Sequence, residues 1–319
     1  MYELKECQED LLVSIIVATH NRSTMITAAI DSLLTQTYGN LEIIIVDDAS
    51  TDNTPEVVST LLMKDHRINT FRSEKNIGPG AARNLGVSHA NGQYIAIMDD
   101  DDSAYPNRIE TQARFLDENP DVGLVFSSVD YVDENFEKIE VYPKSLTSGK
   151  FPKESKEIFK LIFTEYCHIP NTTIMMRKCF WEKFRYPEEF WIGEDWFLIC
   201  QLAAKGVRMV GINRPLVQQY RASARIGLLN TDQKNHYKIS IKLINQLSKW
   251  LKDEGFHGYE SLVRSAKAYR FFLGSKVNSG LRGLALLLWG RVLDPSNSLG
   301  KKLWQQKRQS YLKKVFGSG

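Results

Sequence analysis

A chain of 319 residues with 43% hydrophobic and 25% charged side chains can bury a sizeable core, which excludes wholesale disorder. No apolar run approaches the ~18 residues of a spanning helix, and residues 1–10 are too polar and acidic for a signal peptide. The net charge of +3 hides an asymmetry: after residue 255, twelve Lys and Arg face only Glu260 and Asp294, a balance of +10 that leaves −7 elsewhere. An acidic body argues against a nucleic-acid partner, and Cys7, Cys167, Cys179 and Cys200 read as reduced cytosolic thiols without a C-x-x-C or disulfide framework.

Residues 12–18 (LVSIIVA) form a β-branched apolar run and predict a strand buried on both faces. Ile26, Ala29, Ile30, Leu33 and Leu34 then recur at helical spacing within 23–36, and 41–46 (LEIIIV) predicts a second strand. A helix over 54–64 follows, with Asp52 or Asn53 as its cap, then a short strand over 68–72. Residues 80–90 predict a helix, 94–98 (YIAIM) a fourth strand, 107–118 a helix and 122–129 a strand. Beyond 135 the pattern thins to a helix at 155–166, a strand at 172–177, a helix from about 194 to 205 and a strand at 207–212. From 231 onward the chain reads as helical, broken at Gly255, Gly258 and Asp294-Pro295. Strands alternating with helices imply right-handed crossovers and a mostly parallel α/β sheet, with ligands beyond the carboxyl ends of its strands.

Two of those ends carry carboxylates. Asp99-Asp100-Asp101-Asp102 follows the fourth strand, and hard oxygen ligands at this spacing suit Mg²⁺ or Mn²⁺ completed by substrate phosphates. Such an ion neutralises a departing diphosphate as a Lewis acid. The plain alternative, a solvated acidic loop, must tolerate mutual repulsion among the four. Asp47-Asp48-Ala49-Ser50 closes the second strand, where Asp48 either accepts a pyrimidine N3–H or shares a turn with Ser50, Thr51 and Asp52. Asn76-Ile77-Gly78-Pro79-Gly80 leads into a helix bearing Arg83 and Asn84, a layout that brings backbone N–H groups to an anion. The first strand is not followed by the G-x-G-x-x-G that a dinucleotide oxidoreductase needs. Gly193-Glu194-Asp195-Trp196 opens a helix, so its carboxylates serve either as a general base or as favourable charges in a first turn. His20 and His168 read as polar lining residues; no Ser-His-Asp or zinc spacing occurs.

Together these motifs resemble the family 2 glycosyltransferases of the GT-A fold. The residues that carry the likeness are Ser14 to Arg22 (SIIVATHNR), Val46 to Asp52 (VDDASTD), Asn76 to Gly86 (NIGPGAARNLG), Asp99 to Asp102, and Gly193-Glu194-Asp195, in the family's order. The likeness covers about 12–225. It implies a Rossmann-like GT-A nucleotide-diphospho-sugar transferase domain over 1–225, with a donor half to about 130 and an acceptor half over 131–225. A helical basic extension would occupy 226–316. It further implies an inverting, metal-dependent transfer from a UDP-sugar to a glycan or lipid-linked acceptor. Asp195 would be the general base, with Glu194 as substitute. Asp101 and Asp99 would hold Mn²⁺ or Mg²⁺. Thr19, Asn21, Asp48, Asn76, Arg83, Asp99, Asp100, Arg221 and Arg225 would line the donor site. Many relatives carry a histidine near the diphosphate, shortly after a Tyr-Arg pair; here Tyr220-Arg221 is followed by Ala222-Ser223-Ala224-Arg225, which leaves either Arg221 or Arg225 for that place or a looser wall there. His20 stands where a tyrosine is common.

A nucleotidyltransferase, with a similar sheet and metal carboxylates, is the first alternative. It would usually place a glycine-rich basic loop after the first strand, where this chain has Thr19-His20-Asn21-Arg22-Ser23. A non-catalytic nucleotide-sugar-binding protein is the second. In the tail, 281–293 mixes apolar clusters with Arg282 and Arg291, and 299–316 sets Leu303, Trp304, Tyr311, Leu312 and Val315 among six Lys/Arg and no acid. That pattern suits a helix lying in an anionic membrane surface, which would place the protein peripherally on the cytoplasmic face. The same residues also suit packing on the catalytic domain or in a homodimer.

Overall fold

The structure, a computed structural model, describes residues 10–133, 135–164, 168–221, 236–277 and 280–294. In chain order the elements begin with β1 (Val13–Thr19), α1 (Ile26–Leu34), β2 (Leu41–Asp47), α2 (Thr54–Lys64), β3 (Ile68–Arg72) and α3 (Pro79–Ser88). They continue with β4 (Tyr94–Asp99), β5 (Asp102–Ala104), α4 (Arg108–Glu118), β6 (Leu124–Val132), β7 (Lys138–Tyr142) and α5 (Lys144–Thr147). Then come α6 (Ser155–Thr164), a 3-10 turn (Asn171–Thr173), β8 (Met175–Arg177), α7 (Lys178–Trp181), α8 (Glu194–Ala204) and β9 (Met209–Tyr220). Three helices follow: α9 (His236–Asp253), α10 (Glu260–Val277) and α11 (Gly280–Leu293).

The strands form a mixed, mostly parallel sheet in the order β3-β2-β1-β4-β8-β6-β9-β5, with β7 on β6. Ile15, Ile16, Val17, Ile43, Ile44, Ile45 and Ile97 are fully buried, as continuous β-branched runs covered on both faces should be. Each such side chain contributes about 1.5–3 kcal/mol on burial. The parallel registers Thr19↔Asp47 and Ala18↔Asp99 end three strands at one level. Thr19, Asp48 and Asp99 therefore stand side by side at one edge.

The elements that differ from the sequence expectations are those set by distant partners. The helix read from 23 begins at Ile26, after a turn in which the Arg22 carbonyl accepts from both Met25 N and Ile26 N. The strand read over 172–177 is a 3-10 turn followed by β8, antiparallel to both β4 and β6. β9 runs on to Tyr220 although Pro215 suggests a stop, since register shifts around Ser128 absorb the proline. β5 and β7 gave no sequence signal; β5 exists through its pairing with β9.

The chain divides into two compact units. The first takes the described residues of Met1–Ser155, His168–Leu198 and Leu202–Ser223, and holds the sheet. The second takes those of Lys156–Cys167, Ile199–Gln201 and Ala224–Gly319. Within it, Ala268 and Phe272 of α10 pack against Leu287 of α11, and a methyl group at Gly290 would lie 2.4 Å from the Phe272 ring.

Candidate active site

Asp48, just past β2, is buried and shapes a loop. Its Oδ1 accepts from Ser73 Oγ and Ile77 N, both at 2.8 Å, and its Oδ2 accepts from Gly78 N at 2.8 Å. It therefore holds the glycine loop that starts α3. Gly78 sits at φ +89°, a conformation that side chains disfavour, and a Cβ there would meet the Trp191 indole at 3.2 Å. A methyl at Gly80 would lie 3.1 Å from Tyr186 Cβ and 3.2 Å from Glu194 Cγ. The glycines thus let the loop approach the chain around α8.

The loop delivers Arg83. Its Nη2 donates to Asp99 Oδ1 at 2.9 Å and its Nη1 to Glu194 Oε1 at 2.8 Å, so it bridges the end of β4 to the start of α8. Burial opposes its charge, but Asp99, Tyr186 and Glu194 more than offset that and hold it protonated well above the ordinary arginine value. Tyr186 lies with its ring centroid 5.4 Å from this guanidinium. It is fixed by a reciprocal pair with Asn84, at 2.9 and 3.1 Å, and by its hydroxyl donating to Asn171 Oδ1 at 2.7 Å.

On α8, burial pushes the Glu194 carboxyl up to about 7, reinforced by neighbouring Asp195 and opposed by Arg83. Burial likewise raises Asp195, although Trp196 N donates to its Oδ1 at 2.7 Å. A raised carboxylate in a water-poor pocket is a stronger base, which is what a general base requires.

The four aspartates are not equivalent. Asp102 is buried in β5, where Gln219 Nε2 donates to its Oδ2 at 3.3 Å. Asp100 is buried too; burial and then Asp101 push its carboxyl up to about 7, and Arg22 Nε stands 3.7 Å away. Asp99 and Asp101 remain partly exposed. Among the described residues no group of three His, Cys, Asp or Glu gathers around a metal position. Two partly exposed carboxylates in a cluster of like charge fit Mg²⁺ or Mn²⁺, which draws its other ligands from water and phosphates. They do not fit a closed zinc cage.

Other expected donor residues lie apart or act on the protein itself. Asn21, at φ +55°, accepts from Thr51 N at 2.8 Å and Asp52 N at 3.3 Å, clamping the β1 loop to the β2 loop. Asn76 Oδ1 accepts from Gly78 N at 3.2 Å. Thr19 is buried at the end of β1, where its carbonyl accepts from Asp48 N. Arg221, past β9, stacks 3.5 Å from the Tyr131 ring and reaches Glu140 at 3.8 Å. Arg225 lies outside the described residues. The sequence gives no sign of Tyr186, Asn171 and Trp191, which lack a periodic or charged signal, and its motifs assign no role to Asn84 or Arg22.

The family model described as Glycosyl transferase family 2 matches residues 14–184. An uncharacterized glycosyltransferase of Rickettsia felis is 37% identical over 249 residues, covering 78% of this chain and 38% of that protein. The Escherichia coli protein WfaP, a UDP-Glc:alpha-D-GlcNAc-diphosphoundecaprenol beta-1,3-glucosyltransferase, is 32% identical over 209 residues, covering 66% of this chain and 76% of its own. Staphylococcus aureus TarS 1–349 in complex with UDP-GlcNAc matches in structure with a TM-score of 0.61 at 18% identity, over 94% of this chain and 92% of that one. The chain spans only 38% of the length of the Rickettsia felis relative.

Proposed function

This chain belongs to glycosyl transferase family 2, and we propose that it moves a sugar from a UDP-sugar to a lipid-linked glycan acceptor with inversion at the anomeric carbon. The observation that carries the reading is Arg83, which joins the β4-end carboxylate to the pair of raised carboxylates on α8. The acceptor hydroxyl oxygen bonds to the anomeric carbon as the bond to the diphosphate oxygen breaks, UDP leaves, and Asp195 takes the hydroxyl proton. Asp101 and Asp99 would hold a divalent ion, whose charge would neutralise the departing diphosphate. Arg83 holds Asp99 and Glu194 in place, and Asp48 fixes the glycine loop through the N–H groups of Ile77 and Gly78. A UDP-sugar donor is supported by the similarity to WfaP and to TarS in complex with UDP-GlcNAc, and a lipid-linked acceptor by the diphosphoundecaprenol acceptor of WfaP.

A thermal-shift screen of UDP-, GDP- and other nucleotide-sugars with and without Mn²⁺ tests the donor. A ligand at about a hundred times its Kd stabilises the fold by ~2.7 kcal/mol, a shift of several degrees. A UDP-sugar with Mn²⁺ should give the largest shift, and Asp101→Ala should lose the metal-dependent part. An unchanged Mn²⁺ increment in that variant sinks the metal assignment.

The reading extends to an anionic membrane surface on the cytoplasmic side. Among the described residues no helix is long and apolar enough to cross a membrane. On α11, however, Ala285, Leu288 and Trp289 are exposed at spacings of three and four, while Leu286, Leu287 and Gly290 are buried. The basic stretch 299–316 lies outside the described residues; each Lys or Arg at a membrane surface adds about 1 kcal/mol. The whole chain should float with anionic vesicles, and release on high salt and on truncation after Asp294. Equal flotation with neutral vesicles contradicts this, and a dimer without flotation assigns the stripe to a second copy.

A further inference from the structure

His20, half-buried just past β1, touches three loops at once. Its Nδ1 lies 2.6 Å from the Asp48 carbonyl oxygen. A carbonyl only accepts, so Nδ1 carries the proton. Its Nε2 lies 3.1 Å from Asn21 Nδ2 and 3.0 Å from Asn76 Nδ2. The orientation of each carboxamide is set independently of the histidine. Asn21 Oδ1 accepts from the backbone N–H groups of Thr51 and Asp52, and Asn76 Oδ1 from that of Gly78. Backbone N–H groups only donate, so both oxygens point away from the imidazole and both amino groups point toward it. Nε2 must therefore offer its lone pair to both. An imidazolium would set a third donor against two donors, with no acceptor between them.

From this chain of donors and acceptors we infer that His20, locked as the neutral Nδ1–H tautomer, is the positioning residue of the nucleotide-binding loops. The groups it joins come from the end of β1 (Asn21), the end of β2 (Asp48) and the segment leading into α3 (Asn76). Asn21 is held in its left-handed conformation by this bond and by its own N donating to Ser50 Oγ at 2.9 Å. Asn76 immediately precedes Ile77 and Gly78, whose N–H groups both reach the Asp48 carboxylate. Breaking the histidine link removes the amino-group partner of two carboxamides at once and loosens the segment that carries those N–H groups. Its functional half rests on the UDP-sugar reading; its structural half does not. The effect should fall on donor binding and not on the chemical step, because none of the three bonds reaches Asp99, Glu194 or Asp195.

The test pairs a spectrum with kinetics. Nitrogen-15 NMR of the full chain labelled at histidine, with the His20 signals assigned by their loss in His20→Phe, should show Nδ1 protonated and Nε2 bare at the assay pH. A protonated Nε2, alone or together with Nδ1, overturns the inference. His20→Phe keeps a planar ring and loses all three bonds; it should raise KM for the UDP-sugar about tenfold while kcat stays within about threefold. His20→Asn, which can still donate to the Asp48 carbonyl, should fall between. A drop in kcat with KM unchanged overturns the positioning role. Should His20→Phe fail to fold, the wild-type spectrum, assigned through His20→Asn, still decides the tautomer. A wild-type chain that shows the tautomer but binds no UDP refutes the nucleotide role and leaves the network standing.

Discussion

Replacing Asp195 with Asn should lower kcat by about 10²–10⁴ while UDP-sugar affinity, measured by calorimetry, stays near that of the wild type. The substitution keeps the side chain's shape and its bond from Trp196 N, and removes only the basicity. Burial holds both Asp195 and Glu194 above the ordinary carboxylate range, Glu194 at about 7. The base must be ionised to act, so kcat should fall as pH drops, with the acid limb displaced upward toward neutrality. The limb belongs to the pair, since two neighbouring carboxyls titrate together. A variant with near-normal turnover moves the role to Glu194; an acid limb at the ordinary carboxylate value contradicts the buried pair.

Arg83→Met should be the most destabilising single change at the site. Removing one partner of a buried ion pair costs about 3–5 kcal/mol, because the charge left behind has no compensation. Here two are left behind, Asp99 and Glu194. The sign with pH follows from Glu194: its folded-state value lies above its unfolded one, so ionising it works against the fold. Stability therefore declines as pH rises through that window, and more steeply once Arg83 is gone. Urea unfolding should show a larger difference between variant and wild type at pH 8 than at pH 5. A loss that is equal at both, or below about 1 kcal/mol, would mean that the arginine is not the counter-charge of the pair.

The donor edge was legible because its chemistry is local. β1, β2 and β4 are short, mostly apolar runs, each ended by a polar turn, and parallel pairing in one register brings such ends to one level. What the sequence left open is set by long-range pairs. Arg83 and Glu194 are 111 residues apart, and only the close approach at Gly80 brings them into contact. The four aspartates look alike as a string; the pairing of Asp102 with Gln219, 117 residues on, buries it. Two of the expected donor contacts, Asn21 and Asp48, bond chiefly to the protein's own backbone, as loop-shaping residues do. A motif reading does not separate that role from ligand contact, since both favour the same residue types at a strand end.

The central claim, inverting transfer of a sugar from a UDP-sugar, is tested most directly by product analysis. The full chain is incubated with UDP-glucose, Mn²⁺ and an alkyl-diphospho-α-GlcNAc acceptor, with UDP-GlcNAc and other donors alongside. The account predicts free UDP together with a new glycosidic bond whose anomeric proton has the configuration opposite to that of the donor. Pyrophosphate in place of UDP, or a bond that retains the donor's configuration, would contradict it.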